Sequence, residues 1–360
     1  MAVPSTTIDQ EKLEATVGNV FTLLGGAVLS GMVYLGDRMG LYRALAGAGP
    51  VTSDDLAGIT ELDERWLREW LRGQAAAGLI DYLGEGRFEI SPEAAIVLAD
   101  ETHEAFAAGG FSALPSNFAV LERLPESFRS GIGLPYDAFG RDGNKGVERL
   151  LGPWFRTRLV PVALPDLDGV TARLGSSAKV ADVGCGAGVA LIEMAAAFPD
   201  STFHGYEISK HALDLAEENA RAAGVKNVEL HDAADEPLPA DGSFDFITTF
   251  DCLHDMTDPG SVMTAIRKAI KDDGTWLIGD IRSLPTFEDN LRDNPMTAMM
   301  YGFSVMSCMS SALSEPGGLG LGTLGFTEDV ARRMTTEAGF TRFTPHDFGH
   351  PLNAYYEVRP

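Results

Sequence analysis

From Lys179 onward the chain alternates short apolar runs with longer amphipathic stretches, and no other feature restricts its fold as much. KVADV precedes AGVALIEMAAAF, TFHGYEI precedes SKHALDLAEENARAAG, NVELHDA leads on to FDFITTFDC, and PGSVMTAIRKAIK precedes GTWLIGDI. TEDVARRMTTEAGF, TRFTPHDF and NAYYEV close the series. Short apolar runs bounded by breakers read as buried strands, and the longer periodic stretches as helices. Such alternation specifies an α/β fold, a parallel sheet with helices on both faces, whose ligands bind beyond the carboxyl ends of the strands.

The first of these strands runs into Asp182-Val183-Gly184-Cys185-Gly186-Ala187-Gly188, where glycines permit a tight turn and close backbone approach to a ligand. The spacing is GxGxG, because Val189 follows Gly188. The GxGxxG of dinucleotide binders is absent, which counts against a nicotinamide oxidoreductase. At the end of the next strand stands Glu207, where a carboxylate can accept from both hydroxyls of a ribose. After the third strand comes Asp232-Ala233-Ala234, an acid for an adenine amino group beside a side chain small enough to leave room for the ring. Either acid alone reads equally well as an exposed loop charge; signals at three successive strand ends do not. The fourth strand leads into Asp251-Cys252-Leu253-His254-Asp255. Grouped carboxylates favour hard cations, yet no further ligand is identifiable near Asp251, His254 and Asp255, so no metal is expected.

VADVGCGAG, Glu207, the DAA after strand three and FDFITTFDCLHDMTDP together resemble the class I S-adenosylmethionine-dependent methyltransferases, over about half the chain. That resemblance implies a Rossmann-like sheet, mostly parallel with an antiparallel last strand, over residues 171–360. It implies S-adenosylmethionine as cofactor, S-adenosylhomocysteine as product, and cofactor contacts from Asp182, Gly184, Gly186, Glu207, Ile208, Asp232, Ala233 and Asp251. In the related small-molecule O-methyltransferases of the caffeate and flavonoid type, a His-Asp pair in the fourth loop supplies the general base. The likeness carries that role onto His254 with Asp255 as neighbour. The tryptophan that follows the pair in the family is Met256 here, which leaves open that the histidine only shapes the pocket.

Residues 1–100 read as helices over GDRMGLYRALAG, VTSDDLAGI and LDERWLREWLRGQAAAGLI, then a hairpin in DYLGEGRFEISPE, the order of a winged helix. Thr52 or Ser53 can cap the second helix and Asp63 the third, with Trp66, Leu67, Trp70 and Leu71 on its apolar face. Arg65, Arg68 and Arg72 could face a DNA groove, as in a transcription regulator that keeps a methyltransferase-like domain for sensing a ligand. They could equally pair with Glu61, Glu64 and Glu69 on a solvated face. The first hundred residues hold 7 basic and 15 acidic side chains, and the whole chain carries a formal charge of -24, the wrong sign for phosphate or anionic lipid.

Ala15 to Gly36 carries no charge and is nearly long enough to span a bilayer. Its glycines and its acidic flank favour a buried helix packed against a second subunit, and the related enzymes dimerise through this region, so a homodimer and no membrane are expected. Acids stand where a secretory signal needs basic residues, and three scattered cysteines form no CxxC pair, which fits the cytoplasm. Residues 101–170 are too long and too apolar for a linker and are expected to cover a site. Five methionines between Met296 and Met309, with Tyr301 and Phe303, suit either an adaptable wall for a bulky apolar acceptor or a core.

Overall fold

In a computed structural model, which describes residues 8–360, the chain divides between Leu114 and Pro115. The stretch 101–170 is therefore shared, its first part falling with the N-terminal unit and the rest with the C-terminal one.

The N-terminal unit comprises α1 (Gln10–Arg38), α2 (Leu41–Leu45), α3 (Ser53–Thr60), α4 (Glu64–Ala76), the hairpin β1 (Asp81–Gly84) and β2 (Arg87–Glu89), and α5 (Pro92–Leu98). Capping sets the helix starts. Thr52 and Asp55 exchange side-chain and backbone bonds in a capping box, and Asp63 accepts from the N–H groups of Arg65 and Trp66. Leu67, Trp70, Leu71 and Gln74 lie within one arc of α4 and are buried. Trp66 was expected among them, but it falls at the margin of that arc and is 81% exposed. Arg65 pairs with Glu69 at 2.9 Å and Arg68 with Glu64 at 3.3 Å, so these two arginines are spent within their own helix.

The uncharged helix is buried within the unit only in part. Only the C-terminal third of α1 packs within the unit, where the Trp70 indole donates to the Met32 carbonyl at 3.0 Å and Gly36 lies against Tyr42 and Trp70. Val20, Phe21, Leu24 and Val28 are exposed, because the fold offers this part of the helix no opposing surface. By length and composition α1 is the one described helix that could cross a membrane.

The C-terminal unit is built on a seven-stranded sheet. Its strands are β3 (Lys179–Val183), β4 (Thr202–Glu207), β5 (Val228–Asp232), β6 (Phe244–Phe250), β7 (Ile270–Ile281), β8 (Arg342–His346) and β9 (Asn353–Arg359). Their order is β5-β4-β3-β6-β7-β9-β8, and only β9 runs against its neighbours. Alternate residues of single strands supply both cores. Val180, Phe246 and Leu277 face one layer of helices, while Ala181, Ile247 and Ile278 face the other. Each of the larger side chains here, fully buried, contributes roughly 1.5–3 kcal/mol, and Ala181 less. Strand order reverses beside β3, so a crevice opens over the carboxyl ends of β3 and β6. Of the methionine-rich segment, Met306 packs on the cluster of Val120, Leu124, Leu134 and Phe139.

Candidate active site

The loop after β3 is shaped by two glycines in left-handed backbone, where a side chain is strained. Gly184 has φ of 73°, and a Cβ there would meet the Cys252 side chain at 2.8 Å. Gly186 has φ of 53° and open space where a Cβ would stand, so its backbone is available to a ligand. Glu207 locks this loop from the neighbouring strand. One of its oxygens accepts from the Gly186 N–H at 2.9 Å, the other from the N–H groups of Ile208 and Ser209 at 2.8 and 2.9 Å. Two carboxylate oxygens hold more lone pairs than these bonds use, which leaves capacity for hydroxyl donors. Asp182, buried beneath, accepts from the Thr248 hydroxyl at 2.8 Å.

These groups surround a cavity of about 480 Å³, within the range of small-molecule sites. Asp182, Gly184, Gly186, Glu207, Ile208, Ala233, Asp251 and Asp255 all line it. Asp232 and His254 do not. Asp232 pairs with Glu207 across β5 and β4, and its carboxylate accepts from the Ala234 N–H at 3.1 Å. Pro135, Tyr136, Val147, Leu151 and Phe155 form an apolar wall from the preceding helical stretch.

The electrostatics are one-sided. Seven carboxylate side chains line the cavity: Glu148, Asp182, Glu207, Asp251, Asp255, Asp258 and Glu315. None of the described lining residues is Lys, Arg or His. Burial pushes Asp182 up to about 7 against the pull of Thr248, and raises Glu207 despite its three backbone donors. Asp251 is pushed to about 7 by burial and then by Asp280, and Asp255 to about 7 by burial in spite of His254. A cavity of this kind favours a cation and repels a pyrophosphate.

Beyond β6 the chain turns sharply, with Asp251 at φ of 50° and its N–H on the Gly279 carbonyl. The Asn353 amide, on β9, lies 2.8 Å from each Asp251 oxygen and fixes that carboxylate. His254 sits behind the cavity wall, almost fully buried, with Nδ1 2.5 Å from Asp280 at the end of β7. The Cys308 side chain is hydrogen-bonded to the same ring. Burial alone would lower the His254 pKa, but the Asp280 charge and the bonds from Asp280 and Cys308 carry it well above the ordinary value. A carboxylate on one ring nitrogen orients an imidazole and stabilises its protonated form.

Sequence reasoning missed Asp280 and Asn353. Asp280 ends a strand as Glu207 and Asp232 do, so the rule that found those acids would have found it. Asn353 carries no local signal, since its place depends on the antiparallel register of β7 and β9, where it opposes Ile281.

Residues 174–339 match the family described as a methyltransferase domain, and residues 27–100 an Rv2258c-like winged helix-turn-helix domain. The methyltransferase GfsG of Streptomyces halstedii is 33% identical over 153 residues, 40% of this chain and 53% of that protein. A ubiquinone biosynthesis O-methyltransferase of Paracidovorax citrulli is 30% identical over 119 residues, 32% of this chain and 48% of that protein. The chain thus spans about half the length, or less, of the curated relatives it matches. Among solved structures, a putative O-methyltransferase from Nostoc punctiforme superposes with a TM-score of 0.72 at 18% identity, covering 95% of this chain and 98% of that one. Human N-acetylserotonin methyltransferase in complex with SAM gives 0.67 at 16% identity, covering 99% of each. At such identities the likeness establishes the fold.

Proposed function

This chain carries an S-adenosylmethionine-dependent methyltransferase domain, preceded in sequence by a winged helix-turn-helix domain, and from that premise we propose that it methylates an oxygen of a small molecule. The observation that carries the reading is the acidic cavity on the glycine loop, with seven carboxylates and no basic lining residue. S-adenosylmethionine supplies an electrophilic methyl group on a positively charged sulfur, which such a lining favours and a dinucleotide phosphate would not tolerate. Glu207 accepts from the ribose hydroxyls while its backbone donors hold it in place, and the side-chain-free backbone at Gly184 and Gly186 lets the ligand approach closely. Asp232 and Ala233 take the adenine end.

On the acceptor side, the loop after β6 presents the proton-accepting groups. Asp255 lines the cavity and receives the hydrogen bond of the acceptor hydroxyl. His254, which Asp280 holds toward its protonated form behind the wall, acts as base only once it has released that proton and its contact with Cys308 and turned its free ring nitrogen to the cavity. It then takes the acceptor's proton, and Asp280 stabilises the imidazolium that re-forms. Most of the acceleration comes from holding the oxygen in line behind the methyl carbon, with base catalysis added to it. The apolar wall of Tyr136, Leu151 and Phe155 suits an apolar acceptor, and the stretch 101–170 contributes that wall as a cover. Nitrogen and carbon acceptors rank behind oxygen, since the named relatives and structural neighbours are mainly O-methyltransferases.

The protein works as a cytoplasmic homodimer in this reading, with the exposed apolar face of α1 meeting its copy. Phe21→Glu with Leu24→Glu should then turn a dimer into a monomer in sedimentation, and an unchanged mass would exclude that face. Calorimetry with S-adenosylmethionine, S-adenosylhomocysteine and NAD tests the cofactor. Both sulfur ligands should bind and NAD should not; binding of NAD alone would sink the reading. Methyl-donor turnover against phenols, polyketide-like compounds and fatty acids then identifies the acceptor class.

A further inference from the structure

On β4 and β5 stands a second cluster of ligand-type side chains, of which His204, Glu229 and His231 do not line the cavity. The register pairs His204 with Glu229 and Tyr206 with His231, which puts all four side chains on one face at the edge of the sheet. His204 Nδ1 lies 3.2 Å from His231 Nε2 and 3.5 Å from a Glu229 oxygen. One donor atom from each of the three residues falls within 4.8 Å of the others. Two donors bound tetrahedrally to one zinc ion, each at about 2.0–2.1 Å, are themselves about 3.3 Å apart. The two shorter separations bracket that value, and the Glu229 side chain, 67% exposed, is free to adjust.

We propose that His204, Glu229 and His231 form a binding site for a divalent transition-metal ion of the zinc class. This departs from the expectation of no metal, which considered only the loop after β6.

Three further observations favour it. Glu236 lies 2.8 Å from His231 Nδ1, which fixes the proton on that nitrogen and turns the Nε2 lone pair toward the cluster. A carboxylate on the remote nitrogen is the usual outer partner of a metal-bound imidazole. The His231 ring is stacked between His204 and Tyr206, with centroids at 5.4 and 4.7 Å, so its orientation is set before any ion arrives. The His204 side chain is only 12% exposed, so its ring too is held in place by its neighbours on the sheet. Two imidazoles and one carboxylate select zinc and its neighbours over calcium or magnesium, and the fourth position is left to water. Three cysteines lie elsewhere and add no thiolate.

A simple hydrogen bond from His204 to His231 would also bring the rings together, and the test must separate the two. Chelator-treated full-length protein is titrated with zinc chloride by calorimetry and with cobalt chloride by visible absorption. One ion should bind per chain, with a cobalt spectrum lacking a thiolate charge-transfer band. Glu229→Gln and His231→Gln should each weaken binding at least tenfold, and Glu236→Gln roughly 10- to 100-fold. Glu229 is exposed and lies outside the His204–His231 hydrogen bond, so its variant stays readable if His231→Gln disturbs the strand. Absence of saturable one-to-one binding, a thiolate band, or wild-type affinity in Glu229→Gln would overturn the proposal.

Discussion

Helix α4 and the crevice above β3 and β6 both carry dense charge, and they handle it in opposite ways. On α4 every acid that meets an arginine does so one turn away in water, at separations of 2.9 and 3.3 Å. Such pairs are worth well under about 1 kcal/mol. In the crevice Asp182, Glu207, Asp251 and Asp255 are enclosed and meet no basic lining residue, while of the remaining acids Glu148 is paired with Lys145 and Asp258 and Glu315 are exposed. Burial raises Asp182, Asp251 and Asp255 to about 7 each. Surface charge neutralised within a helix asks nothing of a partner, whereas buried charge of one sign defines the ligand it lacks.

The sharpest way to break this contrast is at the ring behind the cavity. We predict that His254→Ala slows methyl transfer by roughly 10²- to 10⁴-fold while donor affinity stays unchanged; normal turnover would remove the base role. Should Asp255→Asn abolish transfer where His254→Ala spares it, the role passes to Asp255. Next in size, Glu207→Ala should weaken S-adenosylmethionine binding roughly 10- to 100-fold, as expected for losing hydrogen bonds to a charged acceptor. Unaltered calorimetric affinity would place the ribose elsewhere.

A smaller effect comes from pH. Asp182, Asp251 and Asp255 keep their protons until pH rises through about 7, so the cavity grows more negative across that range. Preference for cationic S-adenosylmethionine over neutral S-adenosylhomocysteine should therefore increase several-fold from about pH 6 to about pH 8. A ratio that stays flat would mean these carboxylates do not sense the sulfur. The same ionisation costs the ligand-free fold stability as pH climbs from the ordinary carboxylate range to about 7, because the folded state keeps protons that the unfolded chain has released. Smallest of all, Arg65→Ala should change stability by less than about 0.5 kcal/mol in denaturant titration. A loss of several times that would give α4 an electrostatic role this structure does not support.

What the sequence disclosed follows the reach of each interaction. The glycine loop and Glu207 are legible because strand ends and turns are local, and Gly186 meets Glu207 across only 21 residues. Asp63 and Thr52 are legible as caps for the same reason. Trp66 was misplaced because a helical period gives the direction of the buried arc but not its width, which the opposing elements decide. For the exposed run of α1 only the need for burial was legible, since hydrophobicity reports that need and not who provides it. His231 drew no notice, since a histidine in a strand announces nothing until the register of the neighbouring strand is known.

The bond between Asn353 and Asp251 joins positions 102 residues apart, whereas Glu207 finds Gly186 at once. A ribosome adding about 5–20 residues per second needs several seconds to cover that interval. During synthesis the contact between Glu207 and Gly186 can thus form well before the loop after β6 is tied to β9.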